Sequence, residues 1–139
     1  MEKLFIDTNI LIYATNPRSD YYKKARLKLS ELASQYEFVL NSQVLLEYAK
    51  TMTVQKKAAL VWEQLEIFNE QFEVLPENND VQSLWQDLSK LYQIKGNEVY
   101  DCYIVATMKA NSVSNLLTNN PKDFDVYSNI INIFKLREK

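Results

Sequence analysis

Four acidic residues are the side chains of this sequence whose positions indicate chemistry. Asp7 ends the first apolar run, and Glu47 lies one turn into an amphipathic segment. Asp101 stands among apolar and aromatic residues, and Asp123 follows the fourth apolar run by a few positions. Carboxylates that lie close together raise one another's pKa, so a cluster of them favours a bound cation. An all-oxygen ligand set selects Mg²⁺ or Mn²⁺, whose natural chemistry on carboxylates is phosphoryl transfer by metal-activated water.

The rarity of other reactive residues narrows the chemistry further. The 139 residues include no histidine, which excludes imidazole acid–base pairs, Ser-His-Asp and Cys-His triads, and His-ligated zinc. Gly96 is the only glycine, which excludes the glycine-rich loops of P-loop NTPases and dinucleotide-binding proteins. Cys102 is the only cysteine, so the chain has neither an internal disulfide nor a cysteine cluster for metal. Carboxylate, hydroxyl, amide and ammonium groups remain.

Composition and charge indicate a broad class of protein. Hydrophobic residues make up 47% of the sequence and charged residues 24%, which fits one compact domain over residues 1–139. The formal net charge of −2 lacks the basic excess of a nucleic-acid coat protein, so a polyanion would need a local patch, a metal ion or a partner. No window approaches the length of a membrane span, and the N-terminus does not resemble a signal peptide. We therefore expect a soluble, cytoplasmic protein without a membrane partner.

Short apolar runs alternate with longer amphipathic ones, which is typical of a parallel sheet covered by helices. The runs predict strands at residues 3–7, 38–41, 72–75, 115–118 and 130–134. Helical spacing predicts about six helices, at residues 9–14, from 20, from 42, and at 58–69, 78–93 and 98–111. Residues 119–125 are predicted to form a polar turn, and Leu60 and Leu91 to face the core. The predicted fold class is α/β, a single domain whose central parallel sheet of four or five strands is flanked by helices.

This arrangement brings the acidic residues together, because the carboxyl ends of parallel strands meet at one edge and ligands bind where the strand order reverses. Each acid also has an ordinary interpretation. Asp7 is suited to cap a helix, and Asp101 to complement a helix dipole. Glu47 is suited to a solvated helix face, and Asp123 to a turn. Their joint placement is what favours a metal site.

Four motifs in register resemble those of the PIN domain family. They are I-D-T-N at residues 6–9, V-L-L-E-Y at 44–48, Y-D-C-Y-I-V-A-T at 100–107 and L-L-T-N-N-P-K-D-F at 116–124. The resemblance covers essentially the whole chain and is greatest to the VapC-like toxin ribonucleases of bacterial toxin–antitoxin systems. It implies an acidic pocket that binds Mg²⁺ or Mn²⁺ and an activity that cleaves RNA.

The resemblance also implies roles for individual residues. Asp7 and Asp101 would be the main metal ligands, and Glu47 would be a third acid that acts directly or through water. Thr8 and Asn9 would support the turn that presents Asp7.

The fourth motif departs from the usual family pattern. Thr118 would line the pocket with its hydroxyl, but Asn120 stands where many members have an aspartate. Asp123, three positions later, is the expected substitute as fourth catalytic acid and metal ligand. Glu98, one helical turn before Asp101, is an additional acid that could face the same pocket.

Partners follow from the same resemblance. Members of the toxin branch commonly form homodimers and are inhibited by a small antitoxin protein, so we expect both here. For the RNA substrate, Lys56 and Lys57 are the candidate contacts, because they follow the helix of Glu47.

Other proteins that carry acids above a parallel sheet fit the sequence less well. A receiver-type signalling domain needs an aspartate at the end of the third strand, where residues 74–76 read Val-Leu-Pro. A phosphoaspartyl hydrolase needs Asp-x-Asp after the first strand, where Asn9 occupies the second position. The alternative that stays open is a non-catalytic PIN-like domain that binds RNA or a protein partner, because Asn120 replaces an acid.

Overall fold

Residues 1–136, which the computed structural model describes, fold around a five-stranded parallel sheet. The strands are β1 (Glu2–Ile6), β2 (Tyr36–Leu40), β3 (Glu73–Val74), β4 (Asn115–Thr118) and β5 (Asn132–Lys135). Their order across the sheet is β3-β2-β1-β4-β5, so β1 and β4 are neighbours although they are far apart in sequence. The strand order reverses between β1 and β4, which is where α/β sheets bind ligands. The predicted fold class is confirmed.

Helices connect the strands and cover the sheet. The α-helices of the described residues are α1 (Thr8–Thr15), α2 (Tyr22–Leu32), α3 (Ser42–Gln55), α4 (Ala58–Gln71), α5 (Asn79–Leu91) and α6 (Glu98–Ala110), and a 3₁₀ helix spans Pro121–Tyr127. Asparagine side chains cap two of them, since Asn41 Oδ1 accepts from Val44 N at 3.1 Å and Asn78 Oδ1 accepts from Asp80 N at 3.1 Å. No helix within these residues is long and apolar enough to cross a membrane.

The two central strands are the most deeply buried part of the chain. Leu4, Phe5 and Ile6 of β1 and Leu116 and Leu117 of β4 are fully buried, because helices cover both faces of the sheet. Burial of each such side chain contributes about 1.5–3 kcal/mol to folding. The switch point between β1 and β4 is therefore a rigid base on which to build a site.

Two leucines predicted to face the core are exposed. Leu60 is 55% exposed, because the buried stripe of α4 consists of Val61, Leu65 and Phe68, and Leu60 lies about 100° around the helix from Val61. Leu91 is 72% exposed at the last position of α5. The prediction was wrong at these two positions, although the helices themselves are confirmed.

The segment predicted as a polar turn at residues 119–125 is instead mostly a 3₁₀ helix. Its apolar residues Phe124 and Tyr127 are three positions apart, so the three-residue turn brings both to one face, where they are buried. Pro121 stands at the start, where a missing N–H costs nothing.

Several strand boundaries also differ from the prediction by one or two residues. Strand β3 is shortened to two residues, and β5 starts later because the N–H groups of Ile130 and Ile131 both donate to Tyr127 O in a turn. The described residues share one hydrophobic core, and the single domain over residues 1–139 stays a prediction, since 137–139 lie outside the described residues.

Candidate active site

Asp7 lies between the end of β1 and the start of α1, at the switch point of the sheet. Its Oδ1 accepts from Thr8 N at 2.8 Å, so it caps α1 as its ordinary interpretation predicts. Its Oδ2 accepts from the Thr118 hydroxyl at 2.7 Å and from Asn9 Nδ2 at 3.4 Å. Asp7 N donates to Leu117 O at 3.0 Å, which continues the pairing of β1 with β4. Since a carboxylate has about four acceptor positions, Asp7 can cap the helix and still bind a ligand.

The end of β4 completes this corner. The Thr118 hydroxyl donates to Asp7 and accepts from Asn120 N at 3.0 Å, so one buried side chain orients both neighbours. Asn9 Oδ1 accepts from Asn119 N at 3.2 Å. Among residues 1–136, the hydroxyl of Thr8 is a buried side-chain oxygen without a hydrogen-bond partner. The predicted supporting residues Thr8, Asn9, Thr118 and Asn120 therefore all surround Asp7.

Asp101 lies in the first turn of α6 and is partly buried. Its pKa is raised from the ordinary 3.8 to about 7, first by burial and then by the nearby charges of Asp7, Asp123, Glu47 and Glu98, in that order. The five acids therefore share one electrostatic environment.

The pKa of Asp7 is raised as well. It is raised from 3.8 to about 6, chiefly by burial and also by the charges of Glu47 and Asp123, against the opposing hydrogen bonds of Thr118 and Thr8. A site that holds carboxylates at raised pKa values is short of positive charge, which a divalent cation would supply.

Glu47 and Asp123 are more exposed than the two aspartates they face. Glu47 lies one turn into α3, and its Oε1 accepts from Gln43 Nε2 at 2.7 Å. Asp123 lies in the first turn of the 3₁₀ helix. Glu98 Oε1 accepts from Lys95 N at 3.1 Å, so this carboxylate also closes the loop before α6.

The acids are within electrostatic range of one another but have not converged on one point. Within the described residues, no group of three or more Asp, Glu or Cys side chains stands close enough to hold a metal ion as it is. The donor set still fits a hard cation, because it is all oxygen and the pKa values of Asp7 and Asp101 are raised by burial and by neighbouring carboxylates.

The PIN domain family model matches residues 4–129 of this sequence. The chain belongs to the PIN domain family. The PIN domain also resembles solved structures along nearly its whole length, and no curated protein matches it.

Three solved structures are similar to this PIN domain over most of its length. A chain of VapBC2 from Rickettsia felis, bound to a DNA fragment from their promoter, is 28% identical with a TM-score of 0.72, over 95% of this chain and 97% of that one. A chain of a toxin–antitoxin complex from Klebsiella pneumoniae is 22% identical with a TM-score of 0.72, over 99% and 100%. VapC20 from Mycobacterium tuberculosis, a sarcin-ricin loop cleaving toxin, is 15% identical with a TM-score of 0.59, over 82% and 87%.

The lysines predicted to contact RNA lie away from the acids of this PIN domain. Lys56 directly follows α3, about 13 Å along the helix axis from Glu47, and its Nζ donates to Thr15 O at 2.9 Å. Lys57 precedes α4 directly. Their contact with RNA stays a prediction.

Two other lysines lie closer to the acids and were not predicted from the sequence as RNA contacts. A cavity of about 630 Å³ beside Asp123 is lined by Lys122 and Lys135, among others. Lys135 is the register partner of Thr118 in the adjacent strand. Since the pairing of β4 with β5 is long-range, local sequence holds no signal for this placement.

Proposed function

We propose that this PIN domain is an endoribonuclease that depends on Mg²⁺ or Mn²⁺ and acts as the toxin of a toxin–antitoxin pair. The observation that carries the proposal is the shared electrostatic environment of Asp7, Glu47, Asp101 and Asp123 at the switch point of the sheet. The resemblance to VapBC and toxin–antitoxin chains, and to a toxin that cleaves the sarcin-ricin loop, supports the same function.

Asp7 and Asp101 would hold the metal ion, with Glu47 and Asp123 as further ligands, directly or through water. When bound, the ion supplies an activated water and stabilises the charge that develops on the leaving oxygen. The protein's own contribution is orientation. Thr118 fixes one oxygen of Asp7 and the α1 N-terminus fixes the other, so this carboxylate is presented without rotational freedom.

Asp123 takes the place of the missing fourth acid in this proposal. Asn120 cannot supply a charge, whereas Asp123 stands one turn further along the chain and its charge raises the pKa of both Asp7 and Asp101. The 3₁₀ helix is what brings it there, because its tight turn carries residue 123 back toward the end of β4.

RNA would approach along the cavity beside Asp123. The chain has a net charge of −2 and the site is acidic, so the phosphates of a substrate need local cations. Lys122 and Lys135 line the cavity and supply them, while Asn120 offers a neutral amide. We include Lys56 and Lys57 as more distant contacts along the same strand of RNA.

Protein partners belong to the proposal as well. A small antitoxin protein would inhibit the enzyme, and two copies of the chain would form a homodimer. Exposed apolar side chains on α3 and α4, namely Leu46, Val54, Leu60 and Trp62, supply surface for such contacts.

Cleavage of a mixed RNA substrate tests the proposal. The pure protein is incubated with Mg²⁺, with Mn²⁺ or with EDTA, beside the variants Asp7→Asn and Asp101→Asn. We expect cleavage to require metal and to fall by at least about 100-fold in both variants, since each removes a charged ligand of the activated water. Asp87→Asn, at an exposed position on α5, is the matched control and should cleave as the wild type does.

Two outcomes would count against the enzyme. Cleavage that persists in EDTA, or that both variants retain, would assign the activity to a contaminant or to another mechanism. RNA binding without cleavage under all conditions would favour the non-catalytic PIN-like domain, which the Asn120 replacement keeps as the alternative.

A further inference from the structure

Gln43 joins the two helices that carry Glu47 and Asp101. It lies on α3, one turn before Glu47, and its Nε2 donates to Glu47 Oε1 at 2.7 Å. The same Nε2 donates to Tyr100 O at 3.2 Å, on the residue directly before Asp101. We infer that Gln43 is a positioning residue, which holds the Glu47 carboxylate toward α6 so that it can act with Asp101 on the metal.

The chemistry of the partners fixes the orientation of the amide. A carboxylate oxygen and a backbone carbonyl oxygen are both acceptors, so only the NH₂ end of Gln43 can face them. An amide NH₂ has two hydrogens, and the two contacts use both. The NH₂ group thus connects Glu47, on the same helix, with the backbone of α6.

Gln43 is the last of three successive residues at the start of α3 that are linked to α6, directly or through Glu77. Asn41 Nδ2 donates to the Thr107 hydroxyl at 3.2 Å. The Ser42 hydroxyl and the Tyr103 hydroxyl both donate to Glu77 Oε1 at 2.9 Å. Gln43 then contacts the carbonyl of Tyr100.

The three α6 partners lie on one face of that helix. Tyr100, Tyr103 and Thr107 are spaced three and four residues apart, which places them in a single row. The first two links join the helices through buried or bridging groups and do not contact a catalytic acid. Only the third, through Gln43, reaches a carboxylate of the site, so its loss leaves the helices joined and frees Glu47.

Glu47 needs such a restraint because it is exposed. A free glutamate side chain on a helix samples several rotamers, and each must be given up when it binds a metal. Groups that orient metal ligands in this way typically change metal affinity by about 10–100-fold when they are removed. The restraint on Asp7 comes from Thr118, and Gln43 is its counterpart for Glu47.

The test compares Gln43→Met with wild type. Methionine matches glutamine in length and helix propensity but donates no hydrogen bond. This inference rests on the proposed function, so Mn²⁺ binding by titration calorimetry is measured first, then RNA cleavage as a function of Mn²⁺ concentration. We expect the Mn²⁺ dissociation constant to rise about tenfold, and the rate at saturating Mn²⁺ to stay within about twofold of wild type because bound metal orders Glu47 itself.

A double-mutant cycle separates positioning from general structure. In a Glu47→Gln background, Gln43→Met should change the Mn²⁺ dissociation constant by less than about twofold, because its partner has already been altered. Gln86→Met, at an exposed position on α5, is the matched control and should bind Mn²⁺ as the wild type does.

The failures are distinguishable. If wild type binds no Mn²⁺ and cleaves no RNA, the proposed function itself is wrong. If wild type binds Mn²⁺ and Gln43→Met binds it equally well, or if Gln43→Met has the same effect with and without Glu47, the positioning role is overturned while the nuclease stands.

Discussion

The candidate site has two halves that are held in different ways. The strand half consists of Asp7 and Thr118, at the ends of two adjacent central strands, and both are buried. The helix half consists of Glu47 and Asp101, of which the first is exposed and the second partly buried. Main-chain pairing and buried hydrogen bonds hold the first half, whereas side-chain links such as Gln43 hold the second.

This difference indicates how the candidate site could combine a fixed part with an adaptable one. Asp7 has no freedom to move unless β1 or β4 moves, and both strands are in the centre of the core. Glu47 is exposed and Asp101 is partly buried, so their side chains can rotate more readily than that of Asp7. The strand half is therefore expected to set where a cation binds, and the helix half to close around it.

The largest expected effect is a fall in the stability of the metal-free protein as Asp7 and Asp101 become charged. Asp7 and Asp101 have folded-state pKa values of about 6 and about 7, above the ordinary 3.8, so the folded protein binds more protons than the unfolded chain between about pH 4 and 7. This contribution to stability is present at low pH and is lost as the pH rises through the folded pKa values. In EDTA, we expect the free energy of unfolding to fall by about 2 kcal/mol between pH 5 and pH 8. Urea denaturation at each pH measures it.

Asp7 should supply most of this fall, because solvent screens the partly exposed Asp101. The double variant Asp7→Asn/Asp101→Asn is the control, and its stability should be nearly independent of pH over this range. Added Mn²⁺ should stabilise the wild type more at pH 8 than at pH 5, because protons compete with the metal. A metal-free wild type that gained stability toward pH 8 would contradict the shared acidic environment.

A substitution at Thr118 removes hydrogen bonds that hold the strand half together. Thr118→Val removes the hydroxyl that donates to Asp7 Oδ2 and accepts from Asn120 N. We expect a loss of about 1–2 kcal/mol in the free energy of unfolding, because buried partners are left unsatisfied. The pKa of Asp7 should rise further, since this hydrogen bond opposes its rise. Urea denaturation and a pH titration of Mn²⁺ binding measure the two effects.

Thr53→Val is the matched control for a lost hydroxyl. Its Oγ1 donates to Ala49 O within α3, at 2.7 Å, and contacts none of the site's acids. We expect a change below about 0.5 kcal/mol and unaltered Mn²⁺ binding. If the two valine variants behaved alike, the strand half would not depend on Thr118 as its geometry indicates.

The two halves also differ in how far sequence alone could predict them. Asp7 and Thr118 end apolar runs that predict buried strands of a parallel sheet, which places both residues at one edge of it. That their two strands are neighbours is known only from the structure. Asp101 could be predicted as a site residue because burying a carboxylate among apolar residues is costly unless it has a partner. The 3₁₀ helix that carries Asp123 was missed, since its polar residues resemble a turn and its two buried aromatics are only three positions apart.

The hydrogen bonds and strand pairings that join distant elements could not be predicted from local sequence. The pair of Gln43 with Glu47 has the spacing of helix neighbours and could have been suspected, but the contact with Tyr100 O depends on how α3 meets α6. Lys135 comes beside Thr118 only through the register of β4 with β5. Such placements follow from tertiary packing, which the pattern of one chain does not specify.

The smallest expected effect is a change in KM for RNA, which tests which half of the site faces the substrate. Lys122 and Lys135 lie beside the strand half, whereas Lys56 and Lys57 follow the far end of the helix that carries Glu47. We expect Lys122→Ala/Lys135→Ala to raise KM for RNA about threefold with kcat nearly unchanged, since each lysine contributes electrostatic attraction to a phosphate and no chemistry. Steady-state cleavage at low and high salt measures this.

Lys56→Ala/Lys57→Ala provides the comparison at equal change of charge. Because these lysines lie about 13 Å or more along α3 from Glu47, we expect a smaller rise in KM, which higher salt should abolish first. The reverse order would place the RNA across α3 and α4 instead of along the cavity. An equal effect from both pairs would mean that the substrate spans both halves, and the strand half would then set the position of the metal without setting that of the RNA.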